Sequence, residues 1–238
     1  MSNFPFQRLQ VDLAKLIEST PPGQRLLNEP ELAKKMGVSR ATLREAMRTF
    51  ETQGLIRRRQ GSGTYVVGKV PVIDAGLEVL ESIDTMARRL NLMISVSDLN
   101  IESVDADGPT AIGLGVAEGT RLTRVRRVIR ADGRPAAYLV DTLPATILDP
   151  DDLPSEFSGS VLDFLLSRGD QLGVSRALIS ATNAPADVAK PLEIQRDDVL
   201  LVFTSQLFDP KGSIADYSIS YFIPGYFHFH VNRRVGSS

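Results

Sequence analysis

Arg40, Arg44 and Arg48 recur at i, i+4 and i+8, which stacks them along one face of a helix. Such guanidinium groups can donate paired hydrogen bonds to guanine O6 and N7, each good pair worth about 1–3 kcal/mol of base discrimination. Against phosphates they add affinity that falls with salt instead. The sequence does not apportion these two jobs, and a solvated face paired with Glu45 and Glu51 is the competing use of the row. A second basic run, Arg57-Arg58-Arg59, leads into Gln60-Gly61-Ser62-Gly63, where glycine permits close backbone approach to phosphates or a minor groove. Farther along, Arg127 shares a strand face with Val125 and Ile129. A charge among apolar residues needs a partner or a ligand, and Asp216 and Asp141 are the candidate partners.

Other chemistry is thinly represented. His228 and His230 project to one side of a strand, but two ligands without a third define no metal site. No paired carboxylates, nucleophile–base set, phosphate-binding glycine loop or G-x-S-x-G motif stands out. Neither a cofactor nor a metal is expected, and the chain does not read as an enzyme.

The elements that must position the arginines follow from local pattern. Leu9, Leu13, Leu16 and Ile17 give Phe6 to Ser19 helical spacing, and Thr20-Pro21-Pro22-Gly23 ends that helix. Asn28 is a helix cap with Glu31 three residues on, and Pro30 is tolerated in the first turn of a helix from Glu29 to Met36. Gly37 turns the chain, and Ser39 caps a second helix from Arg40 to about Gln53. Leu43, Ala46, Met47 and Phe50 form its apolar stripe, with the arginine row turned about 100° away. After Gly54, Leu55 to Arg59 and Thr64 to Val67 read as a hairpin. Helix, turn, helix and hairpin predict a winged helix-turn-helix that reads DNA.

Charge supports that division. Residues 1–69 hold 12 Lys+Arg and 6 Asp+Glu, a net of +6; the remaining 15 and 23 give −8. A basic head on an acidic remainder predicts a polyanion partner for the head alone. There is no cysteine among the 238 residues, which excludes disulfides and thiolate metal sites and fits a reducing compartment. No apolar run approaches membrane-spanning length and the first residues lack a leader pattern. The expectation is a soluble cytoplasmic protein with no membrane partner.

Residues 69–74, with Pro71, read as a linker between a head at 1–68 and a second domain at 75–238. In the second domain, Ile83 to Leu90, Val161 to Ser167 and Pro185 to Leu192 read as helices, Asp105 to Pro109 as a turn, and Asp149 to Asp152 as a solvated loop. Strands are expected at Met93 to Val104, Leu122 to Ala131, Ala136 to Leu143, Val174 to Ala181, Val199 to Asp209, Ala215 to Phe222 and Phe227 to Val231. Asp132-Gly133 is a strong hairpin signal. Strand pairs with interspersed helices predict an α+β domain on an antiparallel sheet.

Several stretches together resemble the DNA-binding domain of the GntR family of bacterial transcription regulators. They are Asn28-Glu29 through Ala33, Gly37 through Ala46, Gly54-Leu55-Ile56, and Gln60 through Val66. The resemblance implies operator contacts by Ser39, Arg40, Thr42, Arg44 and the wing tip at Gly61, with Arg48, Arg58 and Gln60 beside them. Leu26-Leu27-Asn28-Glu29 replaces the family's Leu-Pro-Ser-Glu, and Pro30 stands where a basic residue often touches DNA, so one family contact is expected to be absent.

Residues 75–235 resemble the UTRA effector-binding domain of the HutC subgroup, whose fold is like that of chorismate lyase. The matching features are Asp132-Gly133-Arg134-Pro135, Leu143-Pro144, Ala184 through Ala189, and Gly212 through Tyr221 with Phe227 and Phe229. The resemblance implies an effector site at Arg127, Asp216, Ser82 and Phe222. Ile129 and Leu139 stand at polar positions of the family, Asp216 replaces a glutamate and Phe222 a tyrosine. The implied effector has an anionic or polar group and a substantial apolar part. The implied protein is a ligand-responsive regulator, a repressor in most of the family, that binds a two-fold symmetric double-stranded operator as a homodimer. A chorismate-lyase-like enzyme fused to a DNA reader is the alternative.

Overall fold

The computed structural model describes residues 4–59, 62–67 and 72–233. The chain forms two compact units, Met1–Val72 with Pro224–Tyr226, and Ile73–Ile223 with Phe227–Ser238.

The first unit contains α1 (Phe4–Ser19), α2 (Glu29–Met36), α3 (Arg40–Thr52), β1 (Ile56–Arg59) and β2 (Gly63–Val66). Asn28 Oδ1 accepts from Glu31 N at 2.9 Å, and Ser39 Oγ accepts from Thr42 N at 3.1 Å, so both predicted caps form. Between the helices Gly37 takes a left-handed conformation (φ 67°), which lets its N–H close onto the α2 carbonyls. Leu9, Leu13 and Ile17 of α1 bury against Leu32 of α2 and Leu43, Ala46, Met47 and Phe50 of α3. β1 and β2 pair antiparallel, with Arg58 opposite Thr64. Residues 23–26 add a third line to this hairpin: Val66 N donates to Gln24 O at 2.9 Å and Leu26 N to Thr64 O at 2.8 Å. That short segment carries no alternation, so pattern alone does not reveal it.

The second unit is built on a six-stranded antiparallel sheet, ordered β4-β5-β6-β9-β8-β7. Its strands are β4 (Ile94–Asp105), β5 (Arg121–Ala131), β6 (Arg134–Pro144), β7 (Ser175–Asn183), β8 (Val199–Phe208) and β9 (Ile214–Phe222). The β5–β6 turn has both Asp132 and Gly133 at positive φ, 49° and 73°, which matches the right-handed twist of a hairpin. Helices α4 (Ile83–Arg89), α5 (Gly108–Leu114), α6 (Val161–Arg168) and α7 (Ala186–Ala189) complete the unit. α5 buries Ala111 and Leu114 with Leu122 of β5, while α6 buries Val161 and Leu165 with Val125 two strand positions from Arg127.

Four expectations need correction. Ile73 and Asp74, read as linker, begin β3 (Ile73–Gly76), which pairs parallel with β10 (Phe227–His230); residues 69–71 of that stretch lie outside the described residues. Burial of Ile73 and Ala75 explains why this short segment is a strand. The turn at Asp105 to Pro109 opens a helix, because the Asp107 side chain caps Thr110 N at 2.9 Å and Pro109 suits a first turn. The helix from Pro185 to Leu192 is α-helical for only Ala186–Ala189. Asp149 to Asp152 is closed by a reciprocal capping box into one short 3-10 turn. No described helix is long and apolar enough to cross a membrane.

Candidate functional site

On the first unit, α3 presents Ser39 and Arg40 exposed, Thr42 part-exposed, Arg44 exposed and Arg48 half-buried. Ser39 Oγ, besides capping the helix, lies 2.8 Å from Thr42 Oγ1, so these two hydroxyls form one donor–acceptor pair at the helix start. Arg44 donates its Nε–H to Glu29 Oε2 at 2.6 Å, yet its side chain stays 59% exposed. It is therefore oriented from α2 while its outer face remains in solvent. Neither Glu45 nor Glu51, the neighbours expected to compete, is its partner in this bond.

Arg58 behaves differently from a wing-tip cation. Strand period two puts it on the same side as buried Ile56 and opposite exposed Arg57. Its Nη2–H donates to Arg44 O at 3.3 Å, its backbone N–H to Glu51 Oε1 at 3.2 Å, and its Nη1 lies 3.9 Å from Glu29 Oε1. Arg58 thus ties β1 to α3, and Arg57 is the cation facing outward. Ser62 Oγ and Tyr65 OH lie 2.7 Å apart across the hairpin turn. Gln60 and Gly61, both expected at the operator, lie outside the described residues.

On the second unit, period-two alternation aligns one face of β5, β6, β9, β8 and β7 into the floor of a cavity of about 640 Å³. One row across the sheet runs Arg127, Leu139, Ser220, Phe203 and Ile179. The next runs Asp141, Ser218, Ser205 and Ala177. Asp216 lies beyond them, opposite Leu207. α4 and α6 contribute to the walls. The volume is in the range of small-molecule sites. Arg127, Asp216, Ser82 and Phe222 all line it, so the four expected residues meet in one place.

Their roles there differ. The Arg127 guanidinium is ion-paired to Asp141, the second of its two candidate partners. Arg127 is 6% exposed, and the space it needs depends on Gly159 (φ 105°), where a Cβ would lie 2.8 Å from Arg127 Cδ. Asp216 is 7% exposed and accepts from Thr142 N at 3.1 Å. Burial pushes its carboxyl well above the usual carboxylate range, and the charge of Asp141 adds to that rise; the Thr142 N–H and Arg127 oppose it. Ser82 Oγ caps α4 at Thr85 N (2.9 Å) and donates to Asp163 Oδ2 of α6 (2.7 Å), so its hydroxyl serves first to join two wall helices. Phe222 packs edge-on against Phe203 (5.1 Å between centroids) and Phe229 (4.9 Å). Asp84, half-buried, also has its carboxyl raised, by burial first and by Asp163, against Arg127 and Arg88.

Sequence reasoning missed Asp84 and the serines at 205, 218 and 220. The serines sit at alternate strand positions, but their shared face becomes visible only once the strand order is known. His230 Nδ1 lies 2.9 Å from Asp74 Oδ1, and among the described residues no cluster of three potential metal ligands occurs.

A winged helix-turn-helix head that exposes Arg40 and Arg44, joined to an antiparallel-sheet unit with a cavity of mixed polar and apolar lining, defines a DNA-binding transcriptional regulator. The chain belongs to the GntR family: the model of bacterial regulatory proteins of the gntR family matches residues 7–66, and that of the UTRA domain matches residues 91–228. It is 32% identical over 205 residues to the probable transcriptional regulator PhnF of Escherichia coli (strain K12), covering 83% of this chain and 82% of that protein. It is 28% identical over 196 residues to the histidine utilization repressor of Pseudomonas putida, covering 82% of this chain and 78% of that one. Among solved structures, PhnF from Mycobacterium smegmatis shares the fold with a TM-score of 0.64 at 21% identity, over 96% of this chain and 100% of that chain. The matched families and relatives are transcriptional regulators, not enzymes, which sets aside the lyase-like alternative.

Proposed function

We propose that this protein is a cytoplasmic repressor that binds a two-fold symmetric operator as a homodimer and loses operator affinity when a small molecule enters the cavity. In this reading residues 1–68 read DNA, and residues 75–238 bind the effector and supply the dimer contact. The observation that carries it is the exposed run Ser39, Arg40, Thr42 and Arg44 at the start of α3, with Arg44 oriented by Glu29. One such helix spans only a half-site, so a specific complex needs two copies related by symmetry. Repression is the activity that the names of relatives such as the histidine utilization repressor carry.

The effector acts by differential affinity. A ligand shifts DNA binding only if it favours one of two states of the regulator, and operator DNA must disfavour that same state. The test is an electrophoretic shift on DNA upstream of the protein's own gene, with and without a metabolite extract. A sequence-specific shift relieved by extract is the expected result. A shift equally strong on unrelated DNA would contradict the assignment.

A further inference from the structure

The charges around the cavity are the reverse of what an anion requires. Arg127 is the one base among its described lining residues, against the carboxyls of Glu78, Glu81, Asp84, Asp141 and Asp216. Arg127 is already held by Asp141. Glu81 is paired with Arg89 at 2.9 Å, and Glu78 accepts from the backbone N–H of Asn232. Asp84, Asp141 and Asp216 remain around a single guanidinium. An anionic ligand at Arg127 would compete with Asp141 for the guanidinium and would also meet the acidic side chains of Asp84 and Asp216. A cation leaves the Arg127–Asp141 pair in place. It meets the acidic side chains of Asp84, Asp141 and Asp216, the hydroxyls of Ser205, Ser218 and Ser220, and the ring cluster of Phe203, Phe222 and Phe229, whose faces attract positive charge.

We propose that the ligand of this cavity carries a cationic group, an amine or amidine, on an apolar body. The cation sits against Asp84, Asp141 and Asp216, and the body lies on the phenylalanine wall. This rests on the reading of the cavity as the effector site, and it puts a cationic group where the family resemblance implies an anionic or polar one.

The proposal has a proton signature. Asp216 on β9 faces Asp141 on β6, Arg127 on β5 and the Thr142 N–H, with Asp84 of α4 beside Arg127 and Asp163 of α6 beside Asp84. Burial, with the charge of Asp141, shifts Asp216 toward its protonated form. A bound cation favours the ionised form, so binding releases a proton and tightens as pH rises.

Calorimetric titration of the full chain with phenethylammonium chloride, sodium phenylacetate and inorganic phosphate tests this at about pH 6 and about pH 8, in buffers of different ionisation heat. The ammonium is expected to bind at least about tenfold tighter than either anion, with proton release and higher affinity at the higher pH. Asp216→Asn should abolish the proton release. Asp84→Asn, at a less buried position, should lower ammonium affinity about tenfold on its own and keeps the test open if the first variant fails to fold. Tighter binding of phenylacetate or phosphate than of the ammonium overturns the cation assignment but leaves the cavity a ligand site. Binding of none of the three overturns both.

Discussion

Glu29 on α2 accepts the Nε–H of Arg44 on α3 at 2.6 Å, and its other oxygen lies 3.9 Å from Arg58 Nη1 on the hairpin. One carboxylate thus contacts both the helix expected to read bases and the strand beside it. The Glu29 side chain is 20% exposed, and it carries a negative charge next to a surface that must accept a polyanion. A negative group at that position weakens phosphate attraction, so its use is orientation.

Glu29→Ala is therefore expected to affect specificity more than affinity. Non-specific DNA binding should hold or rise as a negative charge leaves. Specific binding should fall by about 1–3 kcal/mol, the worth of one misaligned bidentate contact. Fluorescence anisotropy on operator and scrambled duplexes gives the ratio; an unchanged ratio would show that Arg44 does not need its partner.

The two wing arginines should separate in a salt titration. Arg57→Ala removes an outward cation and should lower the slope of log K against log salt by about 1. Arg58→Ala should leave the slope near wild type and lower thermal stability instead, since Arg58 joins β1 to Glu51 and to Arg44 O. Equal slopes in Arg57→Ala and wild type would remove the wing strand from the DNA interface.

Arg127→Met leaves Asp141 without its cation and is expected to cost about 3–5 kcal/mol in urea denaturation. Arg127→Met/Asp141→Leu should recover most of that loss, because the desolvation penalty leaves with both charges. Failure of the double variant to recover would mean that the pair is held by more than its mutual charge.

Asp216 should make stability depend on pH in an unusual direction. Its folded pKa is raised above the unfolded value, so the neutral form stabilises the fold below the ordinary carboxylate range, and that contribution is lost as pH rises through the raised pKa. Asp216→Asn should flatten this fall across the window between the two values. Denaturation midpoints measured across that window check it, and a parallel fall in the variant would place the cause elsewhere.

The head was the more legible half. Its caps, apolar stripes and arginine row are local features with fixed spacing, and Asn28, Ser39, Leu43 and Phe50 behave as that spacing requires. Even there, the pairing of Arg44 and Arg58 with Glu29 joins residues 15 or more positions apart and leaves no local trace. In the second unit the strands were visible one at a time, but the cavity depends on strand order. Neighbours β6 and β9 lie far apart in sequence, so the rows that bring Asp141 to Ser218 and Leu139 to Ser220 cannot be read from periodicity. Asp107 and Pro109 illustrate a local ambiguity, because the same residues start a turn or a short helix.

The measurement that tests the central claim most directly is a footprint of wild-type protein, Arg40→Ala and Arg44→Ala on the DNA upstream of its own gene. The expected result is a two-fold symmetric protected site for the wild type, weakened about tenfold or more in each variant at concentrations where non-specific binding is unchanged. Equal protection by all three proteins, or protection without symmetry, would contradict the reading of α3 as the element that recognises DNA.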